Sequence, residues 1–270
     1  MKPELPQASQ ENFEEKKRRF FVGLGLKYKD YLQFHNESGQ TKRDAQFGQE
    51  SIINKRGETL ERNKRWGDVT EHCLVEAAMA DIAADLYGLP DNEKQTLIIA
   101  ALLHDWRKRG EIEEGRGESD PQKIEAIYQK SKEGLWQGGL KNPEEVSRLI
   151  ESISHISLPG FAELQEDNSI KLKDGLDQSA MIIHYIDEIT RGTDIVTLDE
   201  RLDYLDKVVP ERYPYNEQGK SVWGGRTFFE AQREIGHLIE DKLAAKLGLE
   251  NPKDLPVMLK QKLLEKINKQ

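Results

Sequence analysis

Apolar residues recur at helical intervals along most of the chain. From about Glu11 to Phe34, the residues Phe20, Phe21, Leu24, Tyr28, Tyr31 and Leu32 fall at roughly helical spacing, with Gly23 and Gly25 lowering the local propensity. Residues 36–66 are polar apart from Phe47, Ile52, Ile53 and Leu60, so they read as a long connection or a weak helical arm. Connections of that length often cover functional sites. The pattern strengthens at Val69. Val75, Met79, Ile82 and Leu86 form one stripe, with Thr70 as a candidate cap and Gly88 and Pro90 as stops. Asp91 can cap the next helix, which carries Leu97, Ala100, Ala101 and Leu103.

Residues 110–121 are glycine-rich and acidic, and read as a loop. A short helix is expected after Pro121, using Ile124, Ile127 and Tyr128. Asn142-Pro143 then supplies a cap followed by proline at the first helical position. That helix is expected to carry Val146, Leu149, Ile150, Ile153 and Ile156 and to end at Pro159-Gly160. Another spans about Leu176 to Arg191. Residues 210–226 hold Pro, Tyr, Trp and paired Gly and read as a loop. Phe228, Ile235, Leu238, Ile239 and Leu243 mark a further amphipathic helix, and a short one follows from Lys253 to Asn268. No internal repeat and no alternating strand pattern stands out, so the expected class is all-α.

Composition narrows the functional classes. Of the 270 residues, 33% are charged and 36% apolar, enough for one large domain with appendages. Mean hydropathy is -0.75, and no apolar run reaches membrane-spanning length, so no membrane association is expected. The first residues carry acids and prolines where a secretory signal needs an apolar stretch. A single cysteine, Cys73, excludes an intramolecular disulfide framework and fits a reducing cytoplasm. The net charge of -9 argues against broad nucleic-acid binding but leaves room for a local basic pocket. Oligomeric state is left open, a homo-oligomer included.

Four side chains then require explanation. His72 lies three residues before Val75 and seven before Met79, which turns it to the buried face of its helix. His104 follows Ala100 by four and Leu97 by seven, Asp105 follows Ala101 by four, and Asp187 follows Ile183 by four. Carboxylates on apolar faces are costly unless paired or bound to metal. Singly, each residue reads as a core histidine or a salt-bridged aspartate. Together, two imidazoles and two carboxylates aimed at one core point to a divalent metal. That mixed set fits Mn, Fe, Co, Ni or Zn, with Mg less favoured because it prefers oxygen.

The order and context of these residues resemble the HD-domain superfamily. The resemblance rests on Glu71-His72, on Ala101-Leu102-Leu103-His104-Asp105-Trp106-Arg107-Lys108 and on Ile186-Asp187-Glu188, and covers roughly residues 62–205. It implies a multi-helix core with an H…HD…D pattern, and His72, His104, Asp105 and Asp187 as the metal ligands. The chain then divides into a helical arm and polar connection over 1–61, an HD-type helical domain over 62–249 and a C-terminal helix over 250–270. Lys108 holds the last place of an HDxxK pattern similar to the HDIGK string of many HD phosphodiesterases, with Trp106-Arg107 replacing the central pair.

The expected activity is metal-dependent hydrolysis of a phosphomonoester or phosphodiester, in a small anionic molecule of the nucleotide class. Asp105, which the resemblance implies orients the nucleophile, and Lys108, spaced to neutralise phosphate, are the catalytic candidates. Arg107 and Arg191 are the candidate substrate-binding residues. A metal- and nucleotide-binding sensor without turnover is the alternative, and a metal-free helical interaction protein a third reading. His155 is a candidate extra ligand, but it is phased away from the apolar stripe and reads as solvated unless its helix breaks before Pro159; His184 reads as core, with support of the metal site as the alternative, and His35 and His237 have no supporting context. The basic groups Arg62, Lys64, Arg65 and Arg107, Lys108, Arg109 could draw in an anionic substrate, with solvated surface as the default for Lys64 and Arg109; the aromatics Tyr213, Tyr215 and Trp223 read as loop packing, with stacking on a base as the weaker alternative.

Overall fold

The computed structural model describes residues 7–38, 52–53, 59–60, 69–115, 120–153, 157–208 and 216–269. Its core is a bundle of helices, and the only strands among the described residues pair in three short antiparallel ladders. The all-α expectation is borne out.

The helix Val69–Leu86 is the hub. It is buried on almost every side, because its sequence supplies Ala77, Ala78, Ala80, Ala83 and Ala84 where other helices approach closely. Its main partner is Asp91–Leu103, an antiparallel neighbour buried from Leu97 to Leu103. The link between them is fixed by backbone geometry. Leu89 N–H donates to the Ala84 carbonyl at 2.9 Å and Gly88 N–H to the Asp85 carbonyl at 3.3 Å. This helix ending requires a left-handed residue, which Gly88 provides at φ 64°.

The helix Gln178–Ile189 crosses both, and packs also on Pro143–Glu151, Leu198–Val208 and Phe228–Lys246. Asp177 caps it by accepting from Ser179 N–H. Phe228–Lys246 begins with a reciprocal cap between Thr227 and Glu230. The helices Gln7–Lys27 and Asp254–Asn268 both lie against the hub. Asp81 on the hub holds the latter through Lys266 and the adjacent Asp91–Leu103 helix through Lys94, the second pair at 2.8 Å.

Several boundaries differ from the sequence reading. The N-terminal helix runs through both glycines and breaks at Tyr28 instead, before Lys29–Glu37. Tyr28 is itself buried, so packing sets the break. Thr70 lies inside the first turn and bonds to His35 Nδ1 at 3.3 Å, and Asp91 likewise lies inside its helix behind Pro90. A helix, Lys108–Glu114, enters the expected loop over 110–121. Arg107 pairs with Glu114 there, and the Ser131 hydroxyl donates to Glu111 at 2.6 Å, so tertiary bonds hold a segment of weak propensity.

The Pro143 helix stops at Glu151. The Ser152 carbonyl, which a longer helix would use, is taken by His184 Nδ1 at 2.7 Å and the Ser157 hydroxyl at 2.9 Å. Asn216–Gln218 and Gly219–Val222 form helical turns in the expected loop over 210–226. Among the described residues, no helix is long and apolar enough to cross a membrane.

Candidate metal centre

Three elements bring the four sequence candidates together and add one more. His72 projects from the first turn of the hub, His104 and Asp105 follow the end of Asp91–Leu103, and Asp187 lies in the last turn of Gln178–Ile189. Glu76 stands one turn after His72. Donor atoms of His72, Glu76, His104 and Asp187 all lie within 4.8 Å of one another, a group that could hold a metal ion.

Both imidazoles are oriented by backbone carbonyls. His72 Nδ1 bonds to the Gly192 carbonyl at 2.9 Å, and His104 Nδ1 to the Ala101 carbonyl at 2.9 Å. Assigned as donors on that basis, the Nδ1 atoms leave each Nε2 lone pair facing the acids. The turn that presents Gly192, at φ 61°, joins the short strands Thr190–Arg191 and Asp194–Ile195 directly after the Asp187 helix. His72 Nε2 is 3.0 Å from Glu76 Oε1 and 3.6 Å from Asp187 Oδ1. His104 Nε2 is 3.7 Å from both Asp187 Oδ1 and Asp105 Oδ2. The rings stand edge to face with centroids 5.4 Å apart.

Asp105 sits at the rim of this group. Its Oδ1 pairs with Lys108 Nζ at 3.1 Å, and its side chain is 16% exposed against 38% for the lysine. Asp187 also reaches the opening, at 23% exposed, whereas Glu76 is wholly buried. The site therefore has a closed floor at Glu76 and an open side at Asp105, Asp187 and Lys108.

The electrostatics follow from this crowding. Burial alone would push both imidazoles down, but Glu76 and the aspartates reverse that and hold His72 well above its ordinary range and His104 above it. Burial opposes the charge on Asp187, yet His72, His104 and Arg201 keep its carboxyl far below the usual value. Burial likewise opposes Asp105, and Lys108 with the two imidazoles overcomes it. Of the three carboxyls, Glu76 alone ends up raised, because burial outweighs the imidazoles.

These residues fit a divalent cation. Three acids surround two imidazoles, and Glu76 Oε1, Glu76 Oε2 and His104 Nε2 are buried without a hydrogen-bond partner. A lone pair aimed at a carboxylate oxygen is repulsive. Either a proton on the imidazole or a cation between the groups relieves it, and buried charges of this kind are paired or coordinate metals. His72, His104 and Asp187, with Glu76 or Asp105, would hold the ion.

The other candidates make different contacts. Arg107 turns away to Glu114 and to the Ser131 hydroxyl at 3.3 Å. Arg191 lies over the Tyr204 ring at 5.6 Å, and Arg201, absent from the sequence candidates, acts on Asp187. His184 is core, against Phe161 and behind Asp187. His35 is also buried and bonds to the Leu102 carbonyl at 2.7 Å, tying the Lys29–Glu37 helix to the end of the His104 helix. His237 lies between Asp199 and Glu240 at 3.1 and 3.2 Å. Trp223 is buried, as the packing reading expected, while His155, Arg62, Lys64, Arg65, Tyr213 and Tyr215 lie outside the described residues.

Glu76 had a sequence signal. It is the only acid between Leu74 and Ala80, and it shares the His72 face at four-residue spacing. No family model, curated protein or solved structure matches the chain.

Proposed function

We propose that the chain is a metal-dependent phosphohydrolase of the HD type, acting on a small phosphorylated molecule of the nucleotide class. The observation that carries this reading is the convergence of His72, His104 and Asp187, with Asp105 and Lys108 beside them at the open side. The order of these residues along the chain is that of the H…HD…D pattern.

A bound divalent ion would supply Lewis acidity toward a phosphoryl oxygen and make water more acidic. The side chains divide the remaining work by position. Lys108 is the exposed cation of the group and meets an incoming phosphate, whose growing charge its ammonium offsets. Asp105, kept ionised by Lys108, accepts a hydrogen bond from the attacking water and orients it. Gly192 and Ala101 hold the two imidazoles in one orientation, so their Nε2 atoms stay aimed inward. The hydrophobic hub behind Glu76 keeps bulk water from the closed side.

The test is turnover of p-nitrophenyl phosphate and bis-p-nitrophenyl phosphate by the full chain with Mn, Fe, Co, Ni, Zn or Mg. Metal-dependent hydrolysis that is lost in His104→Ala and in Asp187→Ala supports the enzyme. A stoichiometric ion with no turnover of these esters or of a nucleotide panel overturns it in favour of a binding module.

A further inference from the structure

We propose that Glu76 is itself a ligand of the bound ion, so that the protein supplies His72, Glu76, His104 and Asp187. This rests on the metal-binding part of the function proposed above and concerns a residue outside its H…HD…D pattern.

Glu76 is 0% exposed and is followed by Ala77, Ala78, Met79 and Ala80, which are apolar and buried. No lysine or arginine pairs with it among the described residues, and neither of its oxygens receives a hydrogen bond. Among the described residues, its ion-pair-range neighbours are the imidazoles, with Oε1 3.0 Å from His72 Nε2 and Oε2 3.3 Å from His104 Nδ1. His104 Nδ1 already bonds to Ala101, so that second contact satisfies little. A carboxylate so placed is strongly disfavoured unless a cation compensates it.

Among the described residues no lysine or arginine reaches the position to serve as that cation. The cation can be an imidazolium or a metal ion. Geometry favours the ion. One oxygen of Glu76 lies with donor atoms of His72, His104 and Asp187 in a group no wider than 4.8 Å, as ligands of one ion must. Asp105, by contrast, has one oxygen tied to Lys108 and sits at the rim. Glu76 is therefore better placed than Asp105 to close the buried side of a coordination shell, leaving Asp105 free toward substrate. Two imidazoles with two carboxylates suit zinc, iron or manganese better than calcium or magnesium.

The experiment compares the wild-type full chain with Glu76→Gln, which preserves volume and removes the charge. Zinc and manganese affinities are measured by competition with a chromogenic chelator, and the visible absorption of the cobalt-loaded proteins is recorded. We expect at least a tenfold loss of affinity in E76Q, a changed cobalt spectrum and a metal-free helical content equal to wild type. A loss below threefold with an unchanged spectrum overturns the inference alone. Absence of any binding by the wild type overturns both it and the metal-dependent function. Should E76Q fail to fold, the zinc-edge anomalous map of loaded wild-type crystals decides. A Glu76 oxygen about 2.0–2.2 Å from the ion supports the assignment, and a nearest approach beyond about 3 Å overturns it.

Discussion

Glu188, the residue after Asp187, makes stability depend on pH in a calculable way. Its side chain is buried, 2% exposed. One oxygen accepts from Gln232 Nε2, His184 Nε2 is 3.6 Å from the same oxygen, and the other oxygen has no hydrogen-bond partner. Gly236 leaves the space that this carboxyl occupies, since an added Cβ would lie 3.2 Å from Oε2. Burial pushes the Glu188 carboxyl from 4.5 up to about 8; the Gln232 bond opposes this and the neighbouring Asp187 adds to it.

The unfolded chain releases this proton near the ordinary value, while the folded protein keeps it until about pH 8. The folded state thus binds more protons across that interval, so stability falls as pH rises through it and levels off above. The full difference corresponds to an upper bound of about 5 kcal/mol, at about 1.4 kcal/mol per tenfold. Glu188→Gln keeps the shape and removes the titration. We expect it to match wild type within about 1 kcal/mol near pH 5 and to exceed it by about 2–5 kcal/mol near pH 8.5. Urea denaturation of the chelator-treated proteins across that range measures this. Parallel wild-type and variant curves would refute the reasoning.

Three other outcomes follow from the same geometry. Chelation of the bound ion should lower Tm by about 8–16 °C relative to protein at a thousandfold excess over Kd, read by calorimetry; equal values count against a metal held by the fold. Tyr185→Phe removes the 2.6 Å bond from the Tyr185 hydroxyl to buried Glu240 and should cost about 1.5–3 kcal/mol in denaturant unfolding, with metal affinity unchanged. Lys108→Ala should lower kcat by about 10²–10³ while leaving the bound metal stoichiometry intact, and a loss of metal instead would contradict its assignment to phosphate.

Much of this architecture was legible because the signals were local. The stripe Val75, Met79, Ile82 and Leu86, and the stop at Gly88, needed only helical periodicity and the left-handed preference of glycine. The inward phase of His72 and Asp187 was legible for the same reason. What escaped depends on contacts between distant segments. The helix over Lys108–Glu114 is held by Ser131, 20 residues beyond Glu111, and the end of the Pro143 helix by His184, 32 residues beyond Ser152. Gly192 offers a carbonyl to His72 across 120 residues, and no side-chain pattern encodes a carbonyl. Glu76 escaped for another reason. Within an apolar run a lone acid reads as the solvated edge of a helix, and only the burial of the hub on almost every side makes it an inward residue.

The central claim is that these buried imidazoles and carboxylates take up a divalent cation. Its most direct test is calorimetric titration of zinc or manganese into the chelator-treated full chain, beside His104→Ala and the His72→Ala/Asp187→Ala double variant. The account predicts stoichiometric, saturable binding by the wild type and its loss in both variants with the fold retained. A wild-type titration showing only heats of dilution would contradict it.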